Sequence, residues 1–415
     1  MKKPSKGILS FRREVLMRNL KISLIVILGV IILGLCRIMA WGMEYGNRGG
    51  RFFSVGETYS DMQVVLDKEI SLDGISNIEI LYSENSNDVF FYESEGDTLV
   101  VKEYANYELE EKEVSTVAIT EDTIEIKGQR RNQQNLFFGG PYGFGYSSTG
   151  WGYTQIGLPA SYKGNLTVQT IGGDIRSDCD LNIDGSFIAS SISGDMMLPT
   201  LSAKSVTLTS TSGDLNTGKK ISITSNGTGE ITISTTSGDV HAEFLSGKTT
   251  ITSTSGDISV EKMDGDVSVS TTSGDVKILD GSGRRSIYTS SGQIIMKNID
   301  DFFDINGSSA EVVVEAKRGE GKVVTSSGDV RVELSQLTGN LEIETVSGEV
   351  VTCLSNDSSF EFKADTTSGD INTFFDDDLS FSKKGNSAQG SVGTMEPGYM
   401  VQIHTISGDV RVTEQ

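Results

Sequence analysis

Histidine, cysteine and proline are the scarce residues of this 415-residue chain, numbering two, three and five. His241 and His404 lie far apart and without metal-ligand spacing, so an imidazole-based metal centre is excluded and the many serines have no base beside them in sequence. No Gly-x-Ser-x-Gly elbow, His-Glu-x-x-His helix or phosphate-cradling glycine loop occurs. Cys36 falls in an apolar segment, and Cys179 and Cys353 are separated by many repeats, so no disulfide framework is expected. Five prolines against 47 glycines suit a chain of strands and turns, because proline removes a ladder donor. Basic charge is also short: 35 Lys and Arg against 57 Asp and Glu give a net −22. Residues 1–37 hold eight basic residues and Glu14, a net +7, which leaves −29 for residues 38–415. So acidic a body will not attract nucleic acid or anionic lipid over distance.

One long apolar run exists, Ile22 to Leu35, resuming after Arg37 through Trp41 and preceded by Lys2, Lys3, Lys6, Arg12, Arg13, Arg18 and Lys21. Basic flanks stay on the cytoplasmic side. The expectation is a cytoplasmic tail over 1–20, a single-pass signal-anchor helix over 21–42 and a glycine-rich linker over 43–58, with the rest outside the cell. A cleaved secretory signal and lipid attachment at Cys36 are the alternatives; the first lacks a small-x-small site, and the second has Leu35 where a small residue is needed.

The dominant feature is a repeat. Ser-Gly-Asp followed by an aliphatic residue recurs at Gly194-Asp195, Gly213-Asp214, Gly238-Asp239, Gly256-Asp257, Gly274-Asp275, Gly328-Asp329, Gly369-Asp370 and Gly408-Asp409. Variants stand at Gly173, Gly292 and Gly348, and the two doubled steps contain Ser309-Ala310-Glu311-Val312 and Ser387-Ala388-Gln389, read as degraded copies. Two places after each glycine the residue is always apolar, from Ile175 to Val410, and so is the fifth place before it, from Val168 to Ile403. The third place before it is always Thr or Ser. Strand side chains alternate with period two, so each repeat offers two short strands flanking a Ser-Gly-Asp corner, apolar faces inward. In that corner the glycine supplies unusual dihedrals, the aspartate bonds a neighbouring N–H in an Asx-type turn, and the inward hydroxyls serve buried backbone groups. The predicted fold is all-β: a parallel β-solenoid of about 12–13 coils of roughly 18–21 residues over 166–415.

Before it, residues 59–165 read as an irregular β section or cap, with strands at Ile78–Leu81, Val89–Tyr92, Thr98–Val101 and Thr123–Ile126. Within this section, 131–153 is a glycine-rich insertion bearing Phe137, Phe138, Tyr142, Phe144, Tyr146 and Trp151, a candidate binding loop for a protein or glycan surface partner, or else a disordered or self-packing insertion between two strands. Stacked corner carboxylates about 5 Å apart repel by about 0.8 kcal/mol in water, which backbone N–H groups or a divalent cation would offset. Gln293 and Gln389 in the carboxylate column, and the lack of a Gly-Gly-x-Gly-x-Asp nonapeptide, argue against calcium as an obligatory ligand. No catalytic residue, cofactor or metal site is assigned.

The segment Ile78-Glu79-Ile80-Leu81-Tyr82-Ser83 leading to Asp88-Val89, the Leu158-Pro159 strand end and the serial Thr-x-Ser-Gly-Asp-Val coils resemble the bacterial β-strand-repeat proteins known as putative adhesins, including the anchored protein encoded with Lia-type envelope-stress systems. The resemblance spans roughly residues 70–415 and implies a surface-exposed, non-enzymatic envelope protein, an adhesin or a stress-associated protein. The other reading is a self-assembling scaffold of the bactofilin type, its solenoid ends stacking one on another.

Overall fold

Alternation of apolar and polar residues makes each repeat segment a strand with one buried face, and a strand of five residues buries too little to stand alone. In a computed structural model the segments stack in register. The structure describes residues 62–131, 152–223, 229–355, 357–393 and 398–415, with the backbone of 135–140 and 143–148. The chain forms two units, 1–60 and 61–415, and only the second is described here; the expected tail, anchor and linker lie outside the described residues. Among the described residues no helix is long and apolar enough to cross a membrane.

Strands before the corner lie parallel to their counterparts one repeat on: Leu166 opposite Phe187, Phe187 opposite Val206, Val206 opposite Ile231. Strands after it do the same, with Ile175, Met196, Leu215, Val240, Ile258, Val276 and Ile294 in one file. Each coil adds a short third side, where Leu181, Leu201, Ile221, Leu245 and Met263 sit over one another. All these apolar residues are buried in one continuous core. Where glycine interrupts the third file, at Gly281, the buried Arg285 guanidinium fills the gap and donates to the carbonyls of Met263, Gly265 and Gly283.

The corners differ from expectation in two ways. The carboxylates do not close their own turns. Each Oδ1 accepts from the backbone N–H of the corner residue one coil on, in an unbroken file through Asp88, Asp174, Asp195, Asp214, Asp239, Asp257, Asp275 and Gln293, at 2.7–2.9 Å. Repulsion between neighbouring carboxylates is thus offset by a backbone dipole at every rung. Second, most corner glycines are not in the left-handed region; Gly292 and Gly328, at φ 126° and 133°, are among the exceptions. What demands glycine elsewhere is space, since a Cβ on Gly213 would lie 2.0 Å from the carbonyl oxygen of Gly194. Gly213→Ala should therefore cost about 3 kcal/mol or more in denaturant unfolding, because only backbone can yield. Gly398→Ala, with nothing within 4 Å, should be near neutral.

The inward hydroxyls behave as expected at Ser191, Ser210, Thr235 and Ser253, each accepting from the corner glycine N–H at 2.8–2.9 Å. The copy at 309–312 is a true corner, with Val312 opposite Val330. Its Ala310 is accommodated because the hydroxyl position three places earlier is Gly307, where a Cβ would stand 2.6 Å from that of Ala310.

The copy at 387–389 is not a corner. Ser387–Val392 runs antiparallel to Phe360–Ser368, placing Ala388 opposite Ala364, and Ser380–Phe381 adds a further antiparallel strand. Nor is the last coil in sequence the last in space. Met400–Ser407 pairs in parallel with Leu337–Ser347 on one side and Phe360–Ser368 on the other, and Val410–Glu414 likewise lies between Val350–Leu354 and Ile371–Thr373. Residues 400–414 are inserted between two coils that are consecutive in the chain.

The other end also departs from the expected boundary. Asn77–Tyr82 and Asp88–Ser94 form a regular rung, parallel to Asn165–Thr170 and Ile175–Ser177, with Asn87 in the glycine column. The irregular section is therefore shorter than 59–165. Beyond this rung come Thr123–Lys127 and Gly152–Pro159, still parallel to it, and beyond them the antiparallel strands Gln63–Ser71, Thr98–Ala105 and Thr116–Thr120. Both ends of the stack thus meet antiparallel strands.

Candidate functional site

The glycine-rich insertion forms a two-stranded sheet of its own. Asn135–Gly140 and Gly143–Ser148 pair antiparallel, Phe137 opposite Tyr146, Phe138 opposite Gly145 and Gly139 opposite Phe144. Tyr142 and Trp151 lie outside the described residues. The register brings Phe137, Tyr146 and Phe144 to positions of one parity, with Phe138 on the other.

The stem beneath is part of the folded body. Thr98–Ala105 alternates buried and half-buried positions, and its inward parity places Glu103 beside Leu99, Val101 and Ala105. A buried carboxylate needs partners. Glu103 Oε1 accepts from Arg131 Nη2, from Asn87 Nδ2 at 2.8 Å and from the Ser115 hydroxyl at 2.8 Å, and Oε2 accepts the Ser115 N–H at 2.9 Å. Arg131 Nη1 also donates to Asn87 Oδ1 at 2.8 Å. Thr154 and Tyr82 join hydroxyls at 2.6 Å, and burial, with the Glu103 charge, pushes the Tyr82 phenol well above its ordinary range. Gly152 is required at the other foot of the insertion, since a Cβ there would lie 2.5 Å from the Tyr104 carbonyl oxygen and 2.6 Å from Arg131 Nη1.

Beside this network the rings of Tyr104 and Tyr153 stack at 4.6 Å, with Phe90 edge-on to Tyr153 at 5.5 Å. Both feet of the hairpin, Arg131 and Gly152–Tyr153, are therefore fixed by ion pair, close approach and ring stacking. The two ends of the segment 131–153 thus belong to the folded body, and within it Asn135–Gly140 and Gly143–Ser148 form a separate sheet. Residue pattern alone left Glu103, Arg131, Asn87 and Thr154 unremarked, although a carboxylate on the inward parity of a strand is a legible signal that a cation is nearby.

The predicted corner residues lie together in a file, as structure. Their titration is shaped by position. Asp88, at the first corner, is pushed up to about 6, chiefly by burial, with the neighbouring Asp174 charge adding to the effect and the Asp174 N–H and Arg176 opposing it. Asp195 is raised for the same leading reason. A carboxyl with a raised folded-state pKa favours folding while protonated, so this contribution is lost as pH climbs from about 4 through 6. Asp88→Asn keeps an oxygen acceptor and cannot ionise. Its unfolding free energy should match the parent below pH 4 and exceed it increasingly up to pH 7, reaching a difference on the order of 3 kcal/mol; a constant difference across that range would contradict the assignment.

Among the described residues no group of three or more His, Cys, Asp or Glu could hold a metal ion, and the carboxylate file is engaged by backbone. What the arrangement offers is a two-stranded aromatic sheet between two feet that belong to the folded body.

No curated protein sequence matches the chain. Two solved structures show likeness: a "putative cell adhesion protein" from Clostridium sporogenes, 9% identical over 84% of this chain and 100% of that one with a TM-score of 0.14, and a "putative adhesin" from Parabacteroides distasonis, 12% identical over 84% and 96% with a TM-score of 0.25. The sequence matches the Toastrack DUF4097 family over residues 75–293 and 283–413, nearly the whole stack, and the chain belongs to that family.

Proposed function

We propose that the chain is a non-enzymatic surface protein of the bacterial envelope, held in the membrane by the apolar segment 21–42 with residues 61–415 outside the cell, and that its aromatic hairpin makes the contact with a partner. In this reading it acts as an adhesin or a stress-associated surface protein. The observation that carries it is the hairpin: a separate two-stranded sheet bearing Phe137, Phe138, Phe144 and Tyr146, rising from a stem in which Glu103, Arg131, Asn87 and Ser115 bond one another. Aromatic residues on a fixed scaffold lose little entropy on binding. The basic cluster before residue 22 supports the orientation.

The test replaces 135–148 with two glycines and keeps Arg131 and Gly152. Melting should be unchanged, while retention of the chain on isolated cell-envelope material should fall at least about tenfold, the loss expected from removing one aromatic anchor. Undiminished retention would remove the hairpin from the contact.

A further inference from the structure

One face of the stack is paved with hydroxyls. On the strands before the corner, residues two, four and six places ahead of the glycine point outward, and in the four rungs from Ser205 to Thr272 every one is Thr or Ser. In the next rung the series continues with Ser286 and Ser290, broken only by Tyr288, whose ring is 50% exposed. The parallel register makes the columns continuous: Ser234, Thr252, Ser270 and Tyr288 lie over one another, and Thr252 donates to the Ser234 hydroxyl at 2.9 Å. One repeat beyond Tyr288 the uncharged series ends, where Asp304 takes an outward position and accepts from Asn306 at 2.9 Å.

Charge and area narrow the occupant. Residues 38–415 carry −29, yet these positions hold no charged side chain, so the face is set apart from its acidic surroundings. Polyanions are repelled by the body, and a polycation would seek the carboxylates instead. At about 4.8 Å per rung and about 3.3 Å per residue the patch spans roughly 24 by 13 Å, about 300 Å². Two copies meeting there would bury about 600 Å², half of what a stable dimer needs. A neutral, extended polyhydroxyl chain needs no such area at a single site, since it gains by repetition along its length. It also matches the chemistry: an exposed aromatic ring takes the C–H face of a sugar, and rows of hydroxyls take its equatorial oxygens.

We propose that this face binds a neutral polysaccharide chain running along the stack, with Tyr288 as its stacking platform. It is a second surface, independent of the hairpin. The full chain in detergent is passed over insoluble cellulose, chitin and cross-linked dextran, with immobilised heparin as the anionic counterpart. Retention on at least one neutral polymer is expected, weakened about tenfold by Tyr288→Ala and by Thr252→Lys, preserved in Tyr288→Phe, and absent on heparin. Melting curves of the variants, expected to match the parent, separate lost binding from lost folding. The proposal is overturned by no retention on any of the three, by retention indifferent to both substitutions, by preferential binding to heparin, or by sedimentation showing a dimer that Thr252→Lys dissolves.

Discussion

Truncation after residue 399 is expected to unfold far more than it removes. Residues 400–415 bring Val401, Ile403, Val410 and Val412 into the core, all essentially buried. At roughly 1.5–3 kcal/mol each, their loss costs about 6–12 kcal/mol, comparable with the whole stability of many domains. The removed rung also carries the hydrogen bonds of both neighbours. Its departure strands the rung of Phe360–Ser368 and Ile371–Thr373, with the antiparallel cap of Ser380–Phe381 and Ser387–Val392, from the rest of the stack. Limited proteolysis should cut within 357–393 in the truncated chain and spare it in the parent.

The informative contrast is a longer deletion. Excising 356–393 leaves Ser355 joined to a short connector before Val401, and the inserted rung then follows Leu354 directly, as successive repeats do elsewhere. This chain should keep a single cooperative melt, with a greater tendency to aggregate through its uncapped edge. A truncated chain as protease-resistant as the parent would mean that the 360–373 rung had closed up against 341–354.

The second large effect is at the stem. Arg131→Ala leaves the Glu103 carboxylate buried with its cation gone, and breaking a buried pair by removing one partner costs about 3–5 kcal/mol. Denaturant unfolding should show that loss. Glu103→Gln in the same background should recover a substantial part of it, because a neutral amide needs no counter-ion. Additive losses in the double variant would show that the two side chains do not depend on each other. Deleting 135–148 should cause neither loss, since the network closes below the hairpin.

Much of this architecture is written in the columns. The inward aliphatics at two places after and five before the glycine, and the hydroxyls three before it, predict parallel stacking, and Val168, Leu208, Ile233 and Ile251 are buried as required. Even the exchange at 307 and 310 is legible, because a methyl gained in one column is matched by a side chain lost in the other. The order of rungs is not legible. Leu341, Val401 and Phe362 occupy equivalent positions, so the repeat alone does not say which coil follows which. Nor does it distinguish a corner from a strand at 387–389, where the small residues suit either. The direction of the aspartate bonds escaped for a related reason: an Asx turn and a bond to the next rung ask for the same residue. Of the candidate site, the aromatic insertion was plain, but its boundary with the core depended on Glu103, whose partner lies 28 residues away.

The inserted rung also bears on how the protein is made. A ribosome delivers 360–393 before 401–414, so the neighbour that the earlier segment must dock against does not yet exist when it emerges. Winding can proceed vectorially only as far as Leu354; the final assembly awaits release of the last coil, and anything joined after Gln415 leaves from the flank of the stack instead of its tip.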